Sequence, residues 1–591
     1  MRVIMPITSR RGAPCFPAEP RAARALLWHR AMAMRVRWVG AIGLVSFGAI
    51  AAAAFALGAC SGDDGDNPQP GSDASLSDGS NVGEASDDAN SGDANSNDAG
   101  PRPHFDWVGI VGTGQSLSIG AQGTPVLGVQ QPFHNLKLQD NGPTPRYPLD
   151  GGGTLSLVPL VEPIRPRQTG YSDSQYPNNI SGETPHTAMA NQLTALAMAA
   201  GEPDFVTLHS VVGWSGHCLV DINREGNPDA GGEGRAYPGT LSEAETFTRM
   251  AKAQGKSFAY GAIVLTHGEC DSSNANYENG LHLLAQDYNQ DLKAITGQSP
   301  SIPLILTQQS AHPPQPPKNG THADPLIGSA LAQWRAGVDH DGEIICAGPK
   351  YQYEYAADNL HLKAPGYRRL GEKYAEVIDA VINRGERWHP LQPSSVAHAG
   401  NTITVAFEVP KPPLQWEDTL APPHQTKNTE WANGRGFEVV DPSGPVTITK
   451  ASIQGSSVVL TLSAPAAAGM RVRYATVEDG DSAHNHGGQV DGLRGQLRDS
   501  DAFAGADAQT LTCKVTRFGA HITCPNNALA TRSAHDLVTG GPLPQGTVIV
   551  TSDGSETAAL SSPWTGDSGT TQLHFVHDQR NYAVHFDLPV P

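Results

Sequence analysis

Basic residues are scarce in this chain. Its 591 residues include 40 Lys and Arg against 59 Asp and Glu, a formal charge of −19. That imbalance argues against nucleic acid, or an anionic surface, as the main partner. Charge of either sign is thin, at 17%, while Gly (64) and Pro (46) are abundant. The balance points away from a mainly helical protein and toward an exported one rich in turns and β-structure. The cysteines show no CxxC spacing. Cys218, Cys270 and Cys346 are scattered, which argues against a zinc site, and neither a metal nor an organic cofactor is expected. No internal repeat is visible, and the length suits three or four domains.

The amino-terminal hundred residues read as targeting and tether. Arg35 and Arg37 precede an apolar run from Trp38 to Leu57, and Leu57-Gly58-Ala59-Cys60 follows. A basic segment, a hydrophobic run and small residues make an export signal. Its ending resembles a bacterial lipoprotein signal, with Cys60 as the lipidated first mature residue. The competing reading is a plain transmembrane anchor. Met32 or Met34 is a more natural start than Met1, so residues 1–60 divide into an upstream extension and the signal. Ser61 then favours the outer membrane, by the sorting rules of such lipoproteins. Residues 61–103 form an acidic tether: between 61 and 100 lie ten Asp or Glu and no Lys or Arg. Too little apolar surface is present there to offset the entropy of ordering.

From residue 104 to 388 apolar runs alternate with helical patterns. Strands are expected at 107–111, 205–212, 259–266, 302–308 and 343–347, and helices at 184–200, 241–254, 277–296, 324–337 and 364–383. Such alternation predicts an α/β fold, a parallel sheet covered on both faces. The long Pro/Gly-rich connection 117–183 reads as a rim or lid over the site. Residues 389–504 change to short alternating β runs split by Pro and Gly, which predicts a β-sandwich. Residues 505–591 read as a small β unit or an extension of it. Cys513 and Cys524 flank a strand–turn–strand pattern there and can close a hairpin disulfide.

Three short blocks carry chemistry. Gly114-Gln115-Ser116 ends the first strand, His267-Gly268-Glu269-Cys270-Asp271 ends the third, and Asp358-Asn359-Leu360-His361 precedes the last helix. Loops after parallel strands meet on one edge of the sheet. A Ser hydroxyl is a poor nucleophile at neutral pH and needs an adjacent base. His361 can take and return its proton, and Asp358 can fix the imidazole tautomer. The bland alternatives are a turn serine, a helix-capping Asp and a surface His.

The order Gly-Gln-Ser, Gly-Glu-x-Asp and Asp-x-x-His resembles the SGNH hydrolase superfamily, in its sialate O-acetylesterase and acetylxylan-esterase-like branch. The resemblance covers about residues 105–384 and implies a three-layer, flavodoxin-like sheet. It also implies Ser116 as nucleophile, His361 as base and Asp358 as its partner. The oxyanion hole would be built from the amides of Ser116 and Gly213. One position departs: His267 stands where that branch often has Gln, so either its ring donates the third hydrogen bond or two amides suffice. Glu269 is expected to order its loop by hydrogen bonding. Trp214 and Trp334 are expected in the core or rim rather than as sugar platforms.

Two further stretches stand out. Gly495-Gln496-Leu497-Arg498-Asp499-Ser500-Asp501 resembles a stretch that often closes sandwich domains attached to such esterases, and reads as bracing against the catalytic domain. The Asp- and His-rich 478–486 reads as a solvated loop. The expectation is a cell-envelope serine esterase that removes small acyl groups, acetyl foremost, from poly- or oligosaccharide, with membrane contact through its lipid only. The alternatives are an inactive carbohydrate-binding protein and a lipase- or thioesterase-type enzyme.

Overall fold

The computed structural model describes residues 104–140, 155–164, 182–226, 236–418, 433–476, 485–488, 492–501, 509–532, 536–544, 547–576 and 579–591. Cys60, the export signal and the tether lie outside them. Among the described residues no helix is long and apolar enough to cross a membrane.

The first domain is built on β1, Trp107–Gly114, whose eight residues are all buried. A near-continuous apolar run of this kind suits a central strand covered on both faces. Val108 and Ile110 join one core with Met189, Leu193, Tyr367 and Leu370, while Trp107 and Val111 join the other with Phe247, Leu281 and Tyr288. Beside β1 run β4 (Val206–Val211) and β5 (Phe258–Thr266), both parallel to it. Beyond β5 lie β6 (Leu304–Gln308) and β7 (Ile344–Pro349). The five parallel strands thus have flavodoxin-like order, the first strand lying inside the second. Helices Pro185–Ala199 and Ala364–Ile378 cover one face, and Ala236–Ala253, Tyr277–Thr296 and Ser329–Asp339 belong to the other.

The connection expected as a rim is partly sheet. It contributes β2 (Leu136–Asp140) and β3 (Leu155–Pro159), and β3 runs antiparallel to β2, so the seven-stranded sheet is mixed. Helix starts also shift. The helix expected from 324 begins at Ser329, after Pro325 and Gly328, and the one expected from 241 begins at Ala236. The last helix ends its α-form at Ile378 and continues as one wider turn, Asp379–Asn383.

Two four-stranded antiparallel sheets follow and share one core, in which Ile403, Val405, Val458 and Leu460 meet Phe437, Val439, Val472 and Phe586. This is the β-sandwich. Its last strand is Phe586–Pro589, paired with Arg471–Tyr474. The boundary expected at 505 therefore does not separate two consecutive units. A six-stranded sheet spanning residues 509–576, with its own core and a Cys513–Cys524 disulfide, is inserted before the chain returns to the sandwich.

The stretch 495–501 braces the sandwich from within and outward. Buried Asp499 accepts from the Asn581 amide (2.9 Å) and side chain (2.7 Å) and from the Lys411 amide (3.0 Å). Asn581 in turn accepts from Lys373, on helix Ala364–Ile378 of the first domain, at 3.0 Å. Trp334, 7% exposed, donates to Gln392 across the same boundary.

Two buried carboxylates tie down the segment after Ser116. Glu183 Oε2 accepts from the Leu127 and Gly128 amides at 2.6 and 2.9 Å. Glu162 accepts from the Thr184 amide and hydroxyl, the Thr187 hydroxyl and the Ile164 amide. Burial first, then the charge of Glu183, push the Glu162 carboxyl from 4.5 up to about 8, and burial raises Glu183 too. Both groups hold protons more tightly folded than unfolded. The contribution of Glu162 to stability is therefore full below pH 4.5 and is lost as pH rises through about 8, and that of Glu183 falls in the same direction. The Glu162→Gln chain is expected to lose less stability than wild type between about pH 5 and about pH 8, read from urea midpoints; parallel pH profiles would count against this assignment.

Candidate active site

Ser116 sits two residues past β1, where the chain must turn sharply at the carboxyl edge of the sheet. Gly114 makes the turn at φ +133°, and a Cβ there would lie 2.2 Å from the Thr266 carbonyl oxygen, so only glycine fits. The Gln115 amide donates to that oxygen at 3.3 Å. Ser118 closes the turn by donating its amide (2.9 Å) and hydroxyl (2.7 Å) to the Gln115 carbonyl.

The Asp358–His361 loop approaches from beyond β7. His361 Nε2 lies 2.8 Å from Ser116 Oγ, and Nδ1 lies 2.7 Å from Asp358 Oδ2. An ionised carboxylate only accepts, so Nδ1 carries the ring proton and Nε2 presents its lone pair to the serine hydroxyl. Asp358 Oδ1 accepts from the amides of Leu360 (3.1 Å) and His361 (3.0 Å). Burial alone would raise this carboxyl. The bonds from the His361 ring and the two amides outweigh it and hold the group below the usual carboxylate range. Ser116 is 4% exposed.

Gly213 follows β4 and packs against the serine turn: a Cβ there would lie 2.2 Å from Ser118 Oγ and 3.1 Å from the Gly114 carbonyl oxygen. Among the described residues, neither the Ser116 nor the Gly213 amide has a hydrogen-bond acceptor. Two such donors beside a nucleophile are what a developing oxyanion requires.

His267 does not join them. It is fully buried, with Nδ1 2.7 Å from the Tyr277 hydroxyl and Nε2 3.1 Å from the His217 carbonyl. A carbonyl only accepts, so Nε2–H donates to His217 and Nδ1 accepts from Tyr277. Burial lowers the ring's pKa and keeps it neutral. No N–H remains for an oxyanion, which corrects the expected third donor.

The other residues of that block each fasten the loop elsewhere. Glu269 pairs with Lys350, at the end of β7, at 2.8 Å; both are buried. Burial would raise the Glu269 carboxyl, but Lys350 brings it below its ordinary value. Cys270 is bonded to Cys218, and its amide donates to Gln115 Oε1 at 3.3 Å. Asp271 accepts from the Leu219 amide at 2.7 Å. The reading of Cys218 and Cys270 as scattered is therefore corrected: each follows a strand adjacent to β1, and that shared edge was the signal. Cys346 is a free, buried thiol in β7. Trp214 is 6% exposed and stacks on His217.

The loop expected to be solvated is not so over its described part. His486 is 5% exposed, and Asn485 and Gly487 reach the Asp358 loop; residues 478–484 lie outside the described set. Away from the site, His282, His340 and Glu343 bring ligand atoms within 4.8 Å of one another, and the two rings stack at 3.8 Å. A cavity of about 70 Å³ lies at the opposite edge of the sheet, between the starts of β1 and β5, and its lining holds no Ser or Cys.

The Cys218–Cys270 bridge closes a 52-residue separation beside the serine turn. By loop-closure entropy a bridge of that span contributes about 4 kcal/mol. The doubly substituted Cys218→Ser/Cys270→Ser chain is expected to lose stability of that order in urea denaturation; an unchanged midpoint would show that the bridge adds none.

No protein-family model matches the chain, and no curated protein does. Among solved structures it is similar to a carbohydrate acetylesterase from Xanthomonas citri, at TM-score 0.39 and 13% identity, over 67% of this chain and 81% of that one. It is also similar to a protein from Arabidopsis thaliana, at TM-score 0.31 and 15% identity, over 46% of this chain and 98% of that one. A third is a carbohydrate acetylesterase from Sinorhizobium meliloti, at TM-score 0.23 and 16% identity, over 46% of this chain and 99% of that one.

Proposed function

We propose that the chain is a serine esterase that hydrolyses small acyl esters, acetyl foremost, on carbohydrate, through an acyl-serine intermediate. The observation that carries the reading is the relay from Ser116 to His361 to Asp358, with spacings of 2.8 and 2.7 Å. The Ser116 hydroxyl gives its proton to His361 Nε2 as Oγ attacks the ester carbonyl carbon. Negative charge moves to the carbonyl oxygen, where the Ser116 and Gly213 amides donate. Each such donor is worth roughly 100- to 1000-fold in rate. His361 returns the proton to the departing sugar oxygen, the C–O bond breaks, and the acyl group stays on Ser116. Water, deprotonated by the same ring, then releases the carboxylic acid. Asp358 holds the imidazole in the needed tautomer and stabilises its cation.

A serine this enclosed suits a small acyl group. The acetyl and carbohydrate parts of the reading come from the motif resemblance. Lipidation at Cys60 and the acidic tether would present the enzyme at the cell envelope, a placement that the export signal supports.

The test is acetate release from a panel of acetylated polysaccharides, with 4-nitrophenyl esters of increasing chain length beside it. Wild type is expected to release acetate and to slow as the acyl chain lengthens. Ser116→Ala should fall to background, and Asp358→Asn by about 10,000-fold. A folded wild-type chain that cleaves no ester would refute the reading.

A further inference from the structure

The Asp358–His361 loop is closed at its base by its own bonds, the Ala356 amide donating to the His361 carbonyl at 2.7 Å and the Asn359 amide to the Ala356 carbonyl at 3.0 Å, but its tip is also held from outside. Asp358 and Asn359 are exposed, and Asn359 sits at φ +52°, a conformation that costs energy for a residue with a side chain. The Asp358 carboxylate is occupied within the loop, by the ring and two amides. The backbone carbonyls of Asp358 and Asn359 are met from the other domain. Asn485 Nδ2 donates to the Asp358 carbonyl at 3.1 Å, and the Gly487 amide donates to the Asn359 carbonyl at 2.7 Å.

The segment that supplies these donors is itself anchored. The His486 amide donates to the Ala311 carbonyl at 2.8 Å, just past β6, and the His486 carbonyl accepts from the Leu493 amide at 3.0 Å. Residues 485–488 thus span two loops of the carboxyl edge, one after β6 and one carrying the base. Contact is close: a Cβ on Gly487 would lie 2.2 Å from the Tyr355 ring and 2.5 Å from the Asn359 carbonyl oxygen. Only glycine lets the backbone approach so near.

We infer that Asn485 and Gly487 are positioning residues of the catalytic relay: the β-sandwich domain straps the Asp358–His361 loop in register with Ser116. This rests on the esterase reading for its rate consequence, though not for its geometry. Asn485 bonds to the Asp358 backbone, and so acts on the placement of His361 through the loop. The strap therefore governs the chemical step rather than substrate affinity, because small misplacements of a base cost rate steeply.

The experiment compares wild type with Asn485→Ala and Asn485→Asp, the latter isosteric but without the N–H donor. Steady-state hydrolysis of 4-nitrophenyl acetate is measured together with amide hydrogen exchange of the full chain. Both variants should lose about 10- to 100-fold in kcat with KM within about twofold. Exchange should rise at Leu360 and His361 and stay unchanged across β1. Gly487→Ala should act in the same direction. Wild-type exchange at Leu360 and His361 in both Asn485 variants would overturn the strap, whatever the rates. Raised exchange with unaltered kcat would overturn the positioning role. If wild type cleaves no ester, the esterase reading falls while the exchange comparison still decides whether the strap holds the loop.

Discussion

Two hydrogen bonds, from Ser116 to His361 and from His361 to Asp358, set the demands on the rest of the molecule. Ser116 and His361 are 245 positions apart in the chain yet 2.8 Å apart in space. A contact of that span depends on a rigid frame. The parallel sheet supplies it by ending β1, β4, β5 and β7 on one edge, so loops distant in sequence open side by side. The flavodoxin-like order places β1 between β4 and β5, with the serine turn flanked by both of their loops.

Those loops are held by unlike means. Glu269 and Lys350 form a buried ion pair that joins the ends of β5 and β7. Such a pair adds little net stability against apolar replacements, but removing one partner strands a charge at a cost of about 3–5 kcal/mol. It therefore enforces geometry more than it stabilises. The Cys218–Cys270 bridge joins the β4 and β5 loops covalently. His267, where the family resemblance implied a donor to substrate, spends both ring nitrogens on the same task.

Much of this was legible in the sequence. The five parallel strands lie within a few residues of their expected spans, because each is a short apolar run bounded by turn residues. Ser116, Asp358 and His361 were found by type and order, and the structure brings them together. The edge pair β2 and β3 escaped notice: Leu136–Asp140 and Leu155–Pro159 are short, and sit in a stretch dominated by Pro and Gly. Lys350 gave no local sign, since a lysine after a strand looks like surface until Glu269, 81 residues away, is brought beside it. Asn485 was hidden for the same reason: an Asp- and His-rich run reads as solvated unless the partner domain is already in place. Pairings between distant residues belong to the tertiary fold, and local periodicity does not encode them.

The return of the chain to the sandwich has a consequence for biogenesis. Phe586–Pro589 completes a sheet begun at Phe437, and Gln579 and Asn581 contact Lys373 of a helix made some two hundred residues earlier. During synthesis the α/β domain can assemble early, whereas Arg471–Tyr474 stays without its second partner strand until Phe586–Pro589 emerges. An open edge is a template for pairing with another chain. Until that pairing is made, Arg471–Tyr474 is open to a strand of another chain, and the order of synthesis makes it the last of the sandwich strands to be covered.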